Sequence, residues 1–140
     1  MKQSNKTPIV KNDFLCAALQ KGGIISLSAM NMNVEDWRLA GNQLNFWVCV
    51  VSCTGTSSKA ALLTKLADSL NFPDHFGMNL DALYDCLTDL LLQQKHMGTV
   101  LILEGTHLLN TAMINPILDT LLDAAEFMQP KGHRLSIITC

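Results

Sequence analysis

The sequence contains 140 residues, of which 49% are hydrophobic and 16% are charged, with a formal net charge of −2. This length and composition fit one globular domain and are too apolar for a disordered chain. The small negative charge argues against a general nucleic-acid binder, which would normally carry an excess of Lys and Arg.

Residues 1–11 are polar, and we expect them to be frayed. They carry positive charges, but no apolar run of a signal peptide follows them, and no stretch of the chain is long and apolar enough to span a membrane. The five cysteines show neither a C-x-x-C pair nor a zinc-ligand spacing, so we interpret them as free thiols of a reducing compartment. These features predict a cytoplasmic protein.

The N-terminal third contains three candidate elements. Residues 12–23, NDFLCAALQKGG, predict a short helix that the two glycines end. Residues 24–30, IISLSAM, could form a short strand. Residues 33–44, NVEDWRLAGNQL, predict a second helix with Asn33 as its N-cap, although Gly41 weakens its end.

Stronger signals begin at Phe46. The run FWVCVV is continuously apolar and rich in β-branched residues, which predicts a parallel strand in the centre of a sheet. A helix over residues 59–70 follows it, capped by Ser57 or Ser58.

Two later apolar segments, TVLIL and HRLSIITC, predict further strands, and Asn115-Pro116 is expected to begin the helix between them. The order from residue 46 onward is strand, helix, helix, strand, helix, strand. It predicts an α/β fold with a small three-stranded parallel sheet packed with helices. The first 45 residues could add an edge strand and a helix to this core.

The segment NLDALYDCLTDLL predicts an amphipathic helix from Asn79 to about Leu91. At 100° per residue its leucines cluster on one side, with Tyr84 at the border. The other side carries four polar residues: Asp81, Asp85, Thr88 and Asp89.

These aspartates stand in an unusual charge environment. Between Lys65 and Lys95 the chain has five acids and no base, so like charges repel at the i,i+4 spacing. A solvated polar face explains Asp81, which the helix dipole stabilises, better than it explains Asp85 and Asp89. A cationic partner that covered this face would remove the repulsion. Both interpretations remain open from the residues alone.

Enzymatic and metal-binding interpretations are weaker. A metal site formed by Asp74, His75 and Asp81 lacks a second histidine at a ligand spacing. A small hydrolase using Asp85 and His75 would need a concave pocket that joins the two. We therefore expect no metal, no cofactor and no catalytic residue.

The segment LNFPDHFGMNLDALYDCLTDL resembles the signature of the barstar-like family, bacterial intracellular inhibitors of secreted ribonucleases. The shared features are a loop with Pro73, an acid, an aromatic residue and Gly77, followed by Asn79 and the D-A-L-aromatic-D pattern that begins at Asp81. The resemblance covers about residues 45–140. It implies a barstar-like domain there and leaves residues 1–44 as an N-terminal extension, partly structured and packed on the same core.

The family resemblance implies a three-stranded parallel sheet and a non-catalytic inhibitor that covers the basic active site of a nuclease and mimics RNA phosphates. Asp85 resembles the central anchor, Gly77 would let the loop turn sharply and Asn79 would cap the helix. The implied partner is a cognate ribonuclease or nuclease toxin, with no direct binding of nucleic acid or membrane. The implied partner-binding residues are Asp74, His75, Phe76, Gly77, Asn79, Asp81, Tyr84, Asp85, Thr88 and Asp89.

The sequence departs from the family pattern at three places. His75 replaces a tyrosine, and Asp89-Leu90 replaces a glycine and a tryptophan. The acid expected on the later helix falls near Phe127, with Glu126 or Asp123 as the nearest substitutes. These departures leave two alternatives: a different nuclease or toxin as the partner, or a scaffold that has kept the fold and lost nuclease binding.

Overall fold

The structure of the protein is a computed structural model that describes residues 2–26 and 32–140, with side chains described from residue 12 onward. The helices and strands are α1 (Lys2–Lys21), β1 (Gly23–Ser26), α2 (Val34–Gln43), β2 (Trp47–Ser52), α3 (Lys59–Leu70), α4 (Leu80–Leu92), β3 (Gly98–Glu104), α5 (Thr111–Met128) and β4 (Arg134–Thr139). Single 3₁₀ turns at Thr106–Leu108 and Gln129–Lys131 flank α5. No helix in these two ranges is both long enough and apolar enough to cross a membrane.

The first helix is longer than the sequence predicts. It begins at Lys2, so the prediction that the polar N-terminal residues fray was wrong for residues 2–11. Leu15 and Leu19 are buried and anchor the C-terminal half of the helix. Once such a segment is helical, each added residue gains a backbone hydrogen bond, and a polar sequence can extend it. The predicted strand at 24–30 is observed as β1, and its residues 27–30 lie outside the described part of the chain.

The sheet has four parallel strands in the order β1-β4-β3-β2. The α/β class and the parallel pairing are as predicted, and β1 is the fourth strand, at the edge beside β4. The central position predicted for β2 was wrong, because β2 lies at the opposite edge. Its continuous apolar run reflects helices on both faces of the sheet, and an edge strand in a three-layer fold is covered in the same way.

Side chains of alternating direction divide the interior into two layers. Cys49 and Val51 of β2 face a core formed with α3, α4 and α5, whereas Val48 and Val50 face a core formed with α1 and α2. The same alternation holds on β3, where Leu101 and Ile102 point to opposite layers. The acidic helix α4 therefore lies on the face of the sheet opposite to α1 and α2.

Two helix starts refine the sequence predictions. Ser58, one of the two serines considered, caps α3 through a hydrogen bond that its Oγ accepts from the Ala61 N–H. The prediction that Asn115-Pro116 begins α5 was wrong, because Asn110 caps the helix and accepts from the Ala112 N–H at 2.8 Å. Pro116 lies inside α5, where its fixed φ suits the helix and its missing N–H costs one backbone hydrogen bond.

Candidate functional site

The N-terminus of the acidic helix α4 is stabilised by its N-cap residue and its first turn. The Asn79 Oδ1 accepts a hydrogen bond from the Ala82 N–H at 2.7 Å, as the cap prediction requires. Asp81 lies in that first turn, where the helix dipole stabilises its negative charge. Leu83, Leu87 and Leu91 are fully buried, so burial of this stripe fixes which side of α4 faces solvent.

The solvent side of α4 presents Asp81, Asp85 and Asp89, all exposed. Successive members are four residues apart, which places them about 6 Å apart along the helix axis. Within the part of the chain whose side chains are described, none of the three forms an ion pair. We refer to these three residues as the acidic row. The three carboxylates are therefore available to solvent or to another molecule.

Thr88 does not belong to this exposed surface. The helical wheel placed it on the polar side, but the structure buries it to 6% exposure, and that placement was wrong. Its hydroxyl donates to the Tyr84 carbonyl at 2.8 Å and contacts the Asp85 carbonyl at 3.2 Å. The hydroxyl is thus satisfied within α4, so Thr88 supports the helix beneath Asp85.

Tyr84 connects the acidic row to α5. Its ring meets the ring of Phe127 in an edge arrangement, with centroids 6.1 Å apart, and the Lys131 ammonium lies 4.7 Å from the Phe127 centroid. The sequence pattern identifies Phe127 only as the position of a missing acid and does not predict this aromatic pair. No local sequence signal relates residues 84 and 127, since the contact depends on how α4 and α5 pack.

Two acids near Phe127 were considered as substitutes for the missing one. Asp123 is exposed and lies one turn before Phe127, so it shares that side of α5. Glu126 instead lines a cleft of about 160 Å³ together with Lys21 and Arg134. Asp123, and not Glu126, therefore lies on the side of α5 that carries Phe127.

The loop before α4 is built on an aromatic contact. Phe76 is half-buried and packs on Phe72 at a centroid distance of 5.2 Å, and its N–H donates to the Pro73 carbonyl at 3.0 Å. This turn leaves Asp74 and His75 exposed to solvent. Phe76 thus holds the loop, and the two residues before it present a carboxylate and an imidazole next to α4.

The sharp turn predicted at Gly77 occurs one residue later. Gly77 does not have a positive φ, whereas Met78 has φ +56°, in the left-handed region. A Cβ on Gly77 would lie 3.4 Å from the Asn79 Nδ2 and 3.5 Å from the Ala82 Cβ, which are ordinary contacts. The role predicted for Gly77 was wrong, because Met78 carries the backbone strain.

Next to the acidic row lies a concavity of about 340 Å³, between the loop and the second half of α4. Its lining contains both His75 and Asp89 and does not include Asp85. The pocket joining His75 to Asp85 that a small hydrolase would need is therefore absent from this concavity. Cys86 also lines it, and burial, followed by the charges of Asp89 and Asp85, raises the pKa of its thiol above the usual value.

All five cysteines are free thiols in the structure. The described residues contain no group of three or more His, Cys, Asp or Glu side chains placed to hold a metal ion. The arrangement of α4, its loop and α5 is thus an exposed surface of charges and aromatic rings.

Comparisons with known proteins identify a family and a relative that share sequence with this chain. Residues 46–140 match the family model described as Barstar (barnase inhibitor). A curated relative from Bacillus subtilis (strain 168), named "Putative ribonuclease inhibitor YrdF", is 70% identical over 23 residues, which are 16% of this chain and 25% of the relative.

A fold comparison adds a distant neighbour. The crystal structure of Cdc6p from Pyrobaculum aerophilum aligns with a TM-score of 0.62 at 14% sequence identity, covering 96% of this chain and 38% of that protein. The likeness concerns the arrangement of helices and strands. Both aligned regions span well under two thirds of the other protein's length.

Because the family model matches more than half of the chain, and matches the part that carries the acidic row and its loop, the protein belongs to the Barstar (barnase inhibitor) family.

Proposed function

We propose that the protein is a non-catalytic inhibitor that binds a cognate ribonuclease or nuclease toxin and blocks its basic active site with the acidic row. The observation that carries this proposal is that Asp81, Asp85 and Asp89 are exposed, repel one another and lack ion pairs among the described side chains. Membership of the barstar family supports a ribonuclease as the partner.

The geometry suits a surface that meets phosphate-binding cations. A nuclease active site gathers Lys, Arg and His around the RNA phosphates, and a row of carboxylates presents negative charge in a similar way. Asp85 is the middle member of the row and serves as its anchor. Asp81 supports it, and Tyr84 supplies an aromatic contact at the α5 side.

The loop contributes the second part of the surface. Asp74 and His75 project from it, and Phe76 and Asn79 fix its path into α4, with the Asn79 side chain donating to the Gly77 carbonyl. Thr88, which is buried, acts on this surface through the helix backbone.

The test is binding to a purified bacterial ribonuclease toxin encoded beside this gene, measured by calorimetry and by inhibition of RNA cleavage. Asp85→Lys should weaken binding by about 100-fold or more, because it places a cation against the cations of the active site. Asp13→Lys is the matched control, since Asp13 is exposed on α1, behind the opposite face of the sheet.

Association should also slow by about tenfold when salt rises from 50 to 500 mM, because long-range charge attraction is screened. A wild-type protein that bound no such ribonuclease would contradict the proposal and favour a scaffold that has kept only the fold. Binding that was unaffected by Asp85→Lys and by salt would contradict the phosphate mimicry.

A further inference from the structure

The concavity beside the acidic row has a composition that suits one kind of side chain. It occupies about 340 Å³ between the end of α3, the loop and the second half of α4. Its lining residues are Asn71, Phe72, Pro73, His75, Cys86, Asp89, Leu90 and Gln93. We refer to it as the His75–Asp89 concavity.

Its inner wall is apolar and its rim is polar. Phe72 is 9% exposed and Leu90 is half-buried, so these two side chains form the deeper wall. Asn71, Asp89 and Gln93 are exposed and lie at the solvent side. A side chain that enters would bury an aliphatic stem against Phe72 and Leu90 and meet a carboxylate and two amides at the rim.

The charge of the rim is negative and uncompensated. Asp89 forms no ion pair with any described side chain, and no Lys or Arg lines the concavity. The other titratable groups that line it are the His75 imidazole and the Cys86 thiol. An anionic or purely apolar occupant would leave the Asp89 carboxylate desolvated and unpaired, which is costly.

Long cationic side chains have the matching chemistry. Arginine and lysine bury their methylene stems on apolar surface while the charged head stays at a polar rim. Arginine fits this rim better, because its planar fork can donate to a carboxylate and to neighbouring amides at once, and can stack on an aromatic ring such as that of His75.

We propose that the His75–Asp89 concavity receives an arginine side chain of the same protein that covers the acidic row, and so selects among ribonucleases. This inference rests on the proposed function. Asp89 follows Asp85 by one helical turn, so a partner that reaches Asp85 passes directly over the concavity. The bound arginine pairs with Asp89, and His75 forms the opposite wall.

Binding to the ribonuclease toxin should separate this site from the anchor at Asp85. Asp89→Asn keeps the shape of the rim and removes its charge, and it should weaken binding at least tenfold, as expected for losing a hydrogen bond to a charged group. Asp13→Asn makes the same change of net charge on the opposite side of the molecule and should change binding less than twofold. Thermal unfolding of both variants checks that they remain folded.

The Cys86 thiol offers a second readout inside the concavity. In the complex, the arginine should shield Cys86 from N-ethylmaleimide, slowing its labelling at least tenfold by mass spectrometry. Cys16 and Cys140 are half-buried against the core on the other face of the sheet and should label at unchanged rates.

The outcomes distinguish the two proposals. Loss of binding with Asp85→Lys, together with unchanged binding by Asp89→Asn and unchanged Cys86 labelling in the complex, would overturn the arginine site and leave the inhibitor function standing. Shielding of Cys86 that persisted fully in Asp89→Asn without loss of affinity would also overturn it. Absence of any wild-type complex would overturn both.

Discussion

The ring of Tyr84 on α4 meets the ring of Phe127 on α5 edge to face, at a centroid distance of 6.1 Å and an interplanar angle of 63°. This pair lies at the border of the acidic row and joins α4 to α5. Phe127 is 39% exposed, so its ring also forms part of the surface that a partner would meet. The contact couples the stability of the helix pair to the shape of the proposed interface.

Phe127→Ala should therefore lower the free energy of unfolding by about 1 kcal/mol more than Phe14→Ala does, since this is the usual value of an aromatic pair beyond its buried area. For a domain of this size this difference corresponds to a further fall of about 3 °C in the midpoint temperature. Phe14→Ala is the control, because Phe14 is 51% exposed and has no ring partner among the described residues. An equal loss in the two variants would show that the Tyr84 contact contributes nothing.

Asp85→Asn should stabilise the free protein while it weakens the complex. Asp85 has a like charge four residues before it and another four residues after it, and removing both repulsions should raise the unfolding free energy by about 0.5 kcal/mol at low salt. The gain should disappear at about 1 M salt. Asp81→Asn should show no gain, because it also removes a favourable charge from the first turn. Chemical denaturation at two salt concentrations measures both effects.

Met78→Gly should relieve the strain in the loop before α4. Met78 has φ +56°, a conformation that costs a side chain about 1 kcal/mol or more and costs glycine little. We expect the unfolding free energy to rise by about 0.5–1 kcal/mol. Met97→Gly makes the same chemical change at an exposed methionine without a positive φ and should destabilise the protein. If Met78→Gly lowered the free energy of unfolding, the backbone at Met78 would not be strained.

Gly41→Ala should destabilise the protein, although alanine is the better helix former by about 1 kcal/mol. A Cβ at residue 41 would lie 2.6 Å from the Val48 Cγ2 and 3.1 Å from the Val100 Cγ2, so α2 would have to move away from the sheet. We expect a loss of about 1–3 kcal/mol in denaturant unfolding. Gly77→Ala, which meets only ordinary contacts, should change stability by less than about 0.5 kcal/mol.

His133 should make the protein less stable at mildly acidic pH. The side chain is 5% exposed, its Nε2 lies 2.8 Å from the Thr99 Oγ1, and burial lowers the pKa of the imidazole below its usual value. The unfolded chain therefore takes up a proton at a higher pH than the folded chain does. The contribution of His133 to the free energy of unfolding is fully present above the ordinary histidine pKa of about 6.5. It falls as the pH drops below that value, by at most about 1.4 kcal/mol per pH unit.

His133→Gln should flatten this dependence between pH 7 and pH 5, as measured by urea unfolding at each pH. Thr99→Ser keeps the hydroxyl and should preserve the slope. An unchanged slope in His133→Gln would assign the pH dependence to other groups.

The sequence predicts the acidic helix well because its determinants are local. The Asn79 cap and the leucine spacing act within a few residues, and both are observed. The edge position of β2 was missed because it depends on β1 pairing with β4, more than 100 residues later in the chain. Thr88 was misplaced because tertiary packing decides how wide the buried side of α4 is, and a helical wheel does not contain that information.

The turn before α4 was missed for a related reason. Glycine tolerates a left-handed backbone best, so Gly77 was the natural choice, yet the capping geometry of Asn79 places that conformation at Met78. The His75–Asp89 concavity could not be foreseen either, because its two walls are brought together by the packing of the loop against α4.

The sheet separates the acidic row from α1 and α2 by two packed layers, each about 10 Å thick. A fluorophore attached to the exposed side of α1, for example at Asp13, would therefore leave the surface of α4 open to a large partner. The protein can thus be tethered by one side while the surface that carries the acidic row remains free.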